Sequence, residues 1–494
     1  MRTVLAIAYL FPPAGGRGAA GSLRVTKFAR HLPSCGWTPI VMTVHKEHYA
    51  RNLTIDESLS GNSAQDLAVE RTHVWHLLAP LLRLRARLRR WMGMRGGSTE
   101  RSPGKGAEIE QKPGEMRSRY QRFKDGVTDL FEIPDEVSGW IVPGVSRGLS
   151  LIRSRNVDVI FATGRPWTSL VIGTILKRLT GRPLVTDFRD PWVTNPFRTQ
   201  PSAFKDWAEH KLEGWVVRSA DLIVANTDNL REEFVERFGN AVASRCITIL
   251  NGFDADEFAT VSATVGERQT ARKFQLLHSG VCYGKRDPKS LIDALRLLID
   301  RGEITEDEVQ CDFVGDIKLR YDLLEYIRAS ALQHVVHLHG EVSYRESIEA
   351  LARCDATILL QPGTTTQIPS KVFEYIGLGK QIIAIAPPDS AVSSLVAANG
   401  LGFAADPGDV ASVATTIMES YRRWRDGVSI PALDPDVQAR FEVRNGVAAL
   451  SAAMERLADG LRDRRPPSGD KVDDGRIGSD GKPDDRPPCK EDLT

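Results

Sequence analysis

The sequence has no CxxC pair. Its six cysteines, Cys35, Cys246, Cys282, Cys311, Cys354 and Cys489, stand singly along 494 residues. Such scatter argues against a structural zinc site and a disulfide framework, and makes a reducing cytoplasm the expected compartment. An excess of charge is also missing: 65 Lys and Arg face 64 Asp and Glu, a net +1. A chain so balanced has no global pull toward nucleic acid, so any electrostatic function has to be local. No run reaches the roughly 18 apolar residues that a spanning helix needs. The opening apolar run is cut at Pro12-Pro13 and leads into glycines without a small-residue cleavage site. A buried first strand is therefore expected there, not a signal peptide.

What is present is a long alternation of apolar runs and helical patterns. The length favours two domains, and 41% hydrophobic residues suffice to pack them. Strands are expected at 3–10, 39–44, 157–162, 183–187 and 220–225, with helices between them. A second series opens at Cys246-Ile-Thr-Ile-Leu250 and continues at 274–278, 310–314, 335–339, 356–360 and 381–386. Strand–loop–helix–strand order in both halves gives an α/β fold, two Rossmann-like domains facing a cleft. The expected boundaries are 1–245 for the first domain, 246–425 for the second, and 426–462 for helices crossing back to the first. Residues 463–494 have almost no apolar content and are expected to be disordered. A basic insertion interrupts the first domain at about 80–125. It carries Arg83, Arg85, Arg87, Arg89, Arg90 and Arg95, interleaved with Leu and Trp91.

The candidate ligand sites lie where strands end. Gly15-Gly16-Arg17-Gly18 follows the first strand and precedes a helix, which suits an anion on backbone amides or simply a βα turn. It is not GxGxxG, and no acid ends the next strand, so NAD binding is disfavoured. Asp187-Phe-Arg189-Asp190-Pro-Trp192 ends a strand and offers two acids, a cation and an indole, where α/β sheets keep ligands; an ion pair with a core indole is the plain alternative. Asp254-Ala-Asp256 and Asp434-Pro-Asp436 fit the short DxD metal signature, which is too short to carry a metal site, and none is expected. Tyr283-Gly-Lys285-Arg286 places two cations beside a glycine turn, fit for a diphosphate or for plain solvation. In Gln367-Ile-Pro-Ser370-Lys371-Val372-Phe-Glu374, Pro and Ser suit a helix start. Amides and Lys371 there would bind phosphate, and Glu374, one turn on, would reach a ribose diol. A capped helix with a solvated ion pair is the plain alternative. His278 and His339 end strands at the cleft side.

Taken in order, FPPAGG with Arg24 beyond it, PD..SGW, DVIFATGRPWTS, DFRDPW, ADLIVANTDNL, ILNGFDADEF, HSGVCYGKRDP, HLHGEV and IPSKVFEYIGLGKQIIAI span residues 1 to about 420. This set resembles the retaining family 4 glycosyltransferases of the GT-B fold, in the branch that builds bacterial surface polysaccharides. The resemblance implies an acceptor-side first domain and a donor-side second one. It implies that Arg286, with Lys285 beside it, holds the donor diphosphate, that Ser370, Lys371 and Val372 meet the phosphates, and that Glu374 holds the ribose. The first acid of the family's E-x7-E pattern falls at Thr365 or Thr366, leaving Thr366 as the donor-sugar contact, and Trp167 stands where relatives often carry His. Gly15, Gly16, Arg24 and Arg189 become further substrate contacts. Arg286 becomes the catalytic cation, and Asp187 or Asp190 the group that positions an acceptor hydroxyl. The expected activity is transfer of a sugar from a nucleotide diphosphate sugar, the co-substrate, with no cofactor and no metal. The acceptor would be a glycan or a lipid-linked glycan. Arg83–Arg95 would meet an anionic membrane at its cytoplasmic face; nucleic acid is not an expected partner. A nucleotide-sugar 2-epimerase and a catalytically degenerate partner subunit are the alternatives.

Overall fold

The computed structural model describes residues 1–15, 19–50, 53–60, 67–75, 132–196, 198, 201–262, 273–427 and 435–463. The basic insertion at 80–125, Gly16, Asp434 and nearly all of the expected tail lie outside them.

The first sheet contains β1 (Arg2–Ile7), β2 (Trp37–Val44), β3 (Ala68–Thr72), β4 (Val159–Gly164), β5 (Leu184–Phe188), β6 (Leu222–Ala225) and β7 (Cys246–Thr248). Its order is β3-β2-β1-β4-β5-β6-β7, parallel throughout. Both faces are covered, so the central strands are continuous apolar runs such as Val4 to Ile7, all buried. The second sheet holds β8 (Phe274–Ser279), β10 (Val309–Val314), β12 (Val336–Gly340), β13 (Ala356–Leu360), β14 (Gln381–Ile385) and β15 (Gly402–Ala405) in the order β12-β10-β8-β13-β14-β15. A small pair, β9 (Cys282–Tyr283) and β11 (Ile317–Lys318), sits beside it. Within each domain the order reads 3-2-1-4-5-6, the doubly wound arrangement. It reverses direction between β1 and β4 in one sheet and between β8 and β13 in the other, and ligands of such sheets bind outside the strand ends at that reversal.

The boundary differs from the sequence expectation. Cys246–Thr248 does not open the second domain; it pairs with β6 and closes the first sheet, Ile223 standing opposite Cys246. The chain crosses just after it, at 249–254. Helix Val443–Asp463 then returns and lies on the first domain. Val443, Val447, Leu450 and Met454 share a cluster with Val4, Ala6, Val25 and Phe28. Their spacing of three and four makes one apolar helix face, and burying each large side chain contributes about 1.5–3 kcal/mol. Trp37 Nε1 donates to Ser451 Oγ at 3.1 Å, and Arg2 pairs with Asp459 at 2.6 Å. Outgoing and returning strands touch: Phe253 N donates to Phe441 O and Val443 N to Phe253 O, at 3.1 and 2.8 Å. Gly252 is required there, since a Cβ would sit 2.9 Å from the Phe441 carbonyl oxygen.

Candidate active site

At the reversal of the second sheet, β8 ends in His278 and Ser279 and turns at Gly280, whose φ is +155°. A Cβ on Gly280 would stand 3.4 Å from His278 Nε2 and 3.6 Å from Lys371 Nζ. The absent side chain thus leaves a space bordered by both nitrogens. Lys371 opens helix Lys371–Gly377, and its ammonium donates to Ser279 Oγ at 2.9 Å, which in turn meets Ser347 Oγ at 2.6 Å. Arg286, on the loop after β9, donates from Nη2 to Gln361 Oε1 at 2.8 Å and rests over the Tyr283 ring. Both cations are therefore held by neutral partners. Three buried polar atoms around them, Arg286 Nε, Gln361 Nε2 and His278 Nε2, have no hydrogen-bond partner. Unpaired buried donors such as Arg286 Nε and Gln361 Nε2 are costly and rare, and with two converging cations they form a site for an anion.

Electrostatics agree. Burial holds Lys371 below its ordinary value, although Glu374 nearby favours its charged form. Burial pushes the Glu374 carboxyl up, against the attraction of Lys371 and of Lys27 from the first domain. Glu374 is one turn beyond Lys371 and stands at the seam between domains. Burial takes His278 down to about 4, with Lys371 and Arg286 opposing its protonation.

Not every expected residue joins this group. Lys285 is exposed on the turn, and Arg286 alone enters. Ser370 occupies the cap position but makes no side-chain cap bond, and the Val372 amide is already taken by Pro369 O at 3.2 Å. Of the expected amides, those of Ser370 and Lys371 remain. His339 lies at the surface on Asp312. The sequence places His278 and His339 alike at strand ends; the Ser279-Gly280 step beside His278 is the signal that separates them.

The first domain's side is built differently. Asp187 is fully buried and takes Arg24 bidentately, at 3.1 and 2.8 Å, and the Thr163 hydroxyl at 2.7 Å. Arg24 also donates to the Ile249 and Leu250 carbonyls and to Asn251 Oδ1, each at 3.0 Å. This pair ties the domain to the crossing segment; Asp187, expected to position an acceptor, and Arg24, expected to touch substrate, are here engaged with each other. The Gly15 amide is likewise engaged, with Thr54 O at 2.9 Å, and Gly15 packs on Asp56. Arg189 is pinned to the loop after β4 through the carbonyls of Gly164 and Arg165, and its guanidinium fills the space over Gly21. Trp167 stacks on Trp192 at 5.0 Å and 9°, both buried, so it is core.

Asp190 does face the cleft. Its Oδ1 accepts from Gln367 Nε2 at 3.0 Å, from the opposite domain, and burial raises its carboxyl while Arg189, Arg165 and Arg286 favour the charged form. A second cross-cleft bond runs from the Thr227 hydroxyl to the Thr366 carbonyl at 3.2 Å. Beside it an open cavity of about 400 Å³ is lined by Thr194 and Glu233 of the first domain and Thr364, Thr365 and Thr366 of the second. Of the DxD acids, Asp254 is paired with His31 and Arg30 and Asp256 with Arg444. Among the described residues no group of three His, Cys, Asp or Glu is placed to hold a metal, and no helix is long and apolar enough to cross a membrane.

Residues 20–252 match the family described as "Glycosyl transferase 4-like domain", and residues 266–424 match "Glycosyl transferases group 1". The chain belongs to the family 4-like glycosyltransferases of the GT-B fold. No curated protein sequence matches it. Among solved structures, it is similar to the HepE protein of Anabaena in complex with UDP, with TM-score 0.54 and 18% identity, covering 94% of this chain and 100% of that one. It is similar to a sucrose-phosphate synthase from Thermosynechococcus elongatus, with TM-score 0.57 and 13% identity, over 93% and 100%. It also resembles the lipopolysaccharide outer core galactosyltransferase WaaB, with TM-score 0.53 and 12% identity, over 92% and 99%. These likenesses show the two-domain GT-B fold, and the cation pair of Arg286 and Lys371 lies in its second domain.

Proposed function

We propose that this glycosyltransferase takes its sugar from a nucleotide diphosphate sugar held by Arg286 and Lys371, and passes it to a glycan or lipid-linked acceptor in the cleft. The observation that carries the reading is the unsatisfied set at Gly280: two half-buried cations on neutral partners, with Arg286 Nε and Gln361 Nε2 as free donors. Glu374, buried one turn beyond, is the ribose ligand in this reading. The HepE relative holds UDP, which supports a nucleoside diphosphate here. The charge that builds on the leaving phosphate would be met by Arg286, Lys371 and the amides of Ser370 and Lys371, so the reading requires no metal and no cofactor. Retention of anomeric configuration comes with the family resemblance. Asp190, held across the cleft by Gln367, is the carboxylate that binds a hydroxyl in this reading, with Thr366 beside it. Arg83–Arg95 would bring the enzyme to an anionic membrane surface that presents a lipid-linked acceptor, in surface polysaccharide or glycoconjugate synthesis.

The test is binding and turnover across a panel of UDP- and GDP-sugars, followed by Arg286→Ala and Glu374→Ala. Each variant should abolish transfer or raise donor KM. Wild-type kinetics in both would sink the assignment.

A further inference from the structure

His278 carries a polar atom whose chemistry does not suit its surroundings. The residue is 5% exposed. Its Nδ1 lies 3.0 Å from the Ile358 carbonyl oxygen. A carbonyl only accepts, so Nδ1 holds the ring proton, and in the neutral ring Nε2 is a bare lone pair. That lone pair is buried without a partner and points to the space at Gly280 that Lys371 Nζ also borders. The charges facing the ring are Lys371, from helix Lys371–Gly377, and Arg286, from the loop after β9; with burial they keep it neutral, down to about 4. On β13 it meets the Ile358 carbonyl and on β10 the Phe313 ring, at 5.7 Å between centroids, and neither titrates.

Phosphate oxygens are acceptors. A lone pair directed at them repels, whereas an N–H directed at them makes a charge-assisted hydrogen bond. A bound diphosphate also offsets the two cations that oppose protonation of the ring. Both effects act in one direction. We propose that His278 is a direct ligand of the donor's phosphates and that it takes one proton from solvent as they bind. The donor site then holds three cations when full and two when empty. The third charge faces the leaving diphosphate during transfer and is given back to solvent when the nucleoside diphosphate departs. The inference rests on the reading of this site as a diphosphate site. Its linkage sign is fixed. Binding raises the ring's pKa, so affinity tightens as pH falls through the pKa of the complex and levels off below about 4, where the empty site is itself protonated.

Calorimetric titration of UDP and of GDP at pH 6.5, in two buffers of different ionisation heat, counts the protons taken up. The free terminal phosphate of these probes titrates in the same range, so the deciding quantity is the difference between wild type and His278→Gln. Wild type should take up about half a proton to one proton more per site than the variant. The variant should bind on the order of 10-fold more weakly at pH 6, with the gap narrowing toward pH 8.5. Equal proton counts in the two proteins overturn the proposal. Should His278→Gln lose its thermal transition, His278→Asn carries the same comparison. A wild-type protein that binds neither probe removes the diphosphate reading itself, a failure distinct from equal proton uptake.

Discussion

The two sheets share a strand order, and each ends in charged loops at its reversal, yet the charged groups there are in opposite states. In the first domain Asp187, Arg24 and Thr163 satisfy one another, and Arg189 is spent on backbone carbonyls. In the second, Arg286 and Lys371 lean on neutral amide and hydroxyl groups, and three buried polar atoms go unmet. A saturated ion pair at a strand end serves the fold; two cations without a bonded counter-charge await a ligand. The side with the richer charge motif in sequence, DFRDPW, is the more structural of the two.

That contrast can be broken by substitution. Asp187→Ala strands Arg24 in the interior and should cost about 3–5 kcal/mol, the scale for losing one partner of a buried pair. Chemical denaturation reads it, and a loss under 1 kcal/mol would mean the seam does not depend on this pair. Arg286→Ala and Lys371→Met should lower kcat by about 10²–10³-fold while leaving the melting temperature level or higher, because each removes a half-buried cation whose direct hydrogen-bond partners are neutral. A fall in stability matching that of Asp187→Ala would place them with the structural group. Asp190→Asn should cost roughly 10- to 100-fold in kcat/KM, the range for a hydrogen bond to a charged group, and little stability. Lys285→Ala, on the exposed turn, should leave donor KM within about twofold, as expected for a solvated cation. A larger effect would bring both neighbours into the site.

Much of the fold was legible because strands buried on both faces are unbroken apolar runs, as at Ala356–Leu360. The edge strands Ala68–Thr72 and Gly402–Ala405 escaped because they are half exposed and short. Cys246–Thr248 was recognised as a strand but assigned to the wrong sheet, since pairing with β6 is a property of the whole domain and not of the segment. The site followed the same division. Lys371 and Glu374 could be read from local spacing, one helical turn apart. Asp187 and Asp190 could not be told apart, because what separates them is Arg24, 163 positions away from Asp187, and Gln367 in the other domain. Lys285 and Arg286 are neighbours in sequence, and only the fold turns one inward.

The backbone bonds between Phe253, Phe441 and Val443 bring both interdomain connections to one place. Were the two domains to swing against each other, this crossing, where both connections meet, would be the natural pivot, and the bonds Thr227–Thr366 and Asp190–Gln367 would have to break. Helix Val443–Asp463 rides with the first domain. A fluorophore near Asp463 therefore reports from the same body as one near Arg2, and the two should stay silent in any such swing. Moving one of them to the exposed turn at Lys285 would make the swing visible.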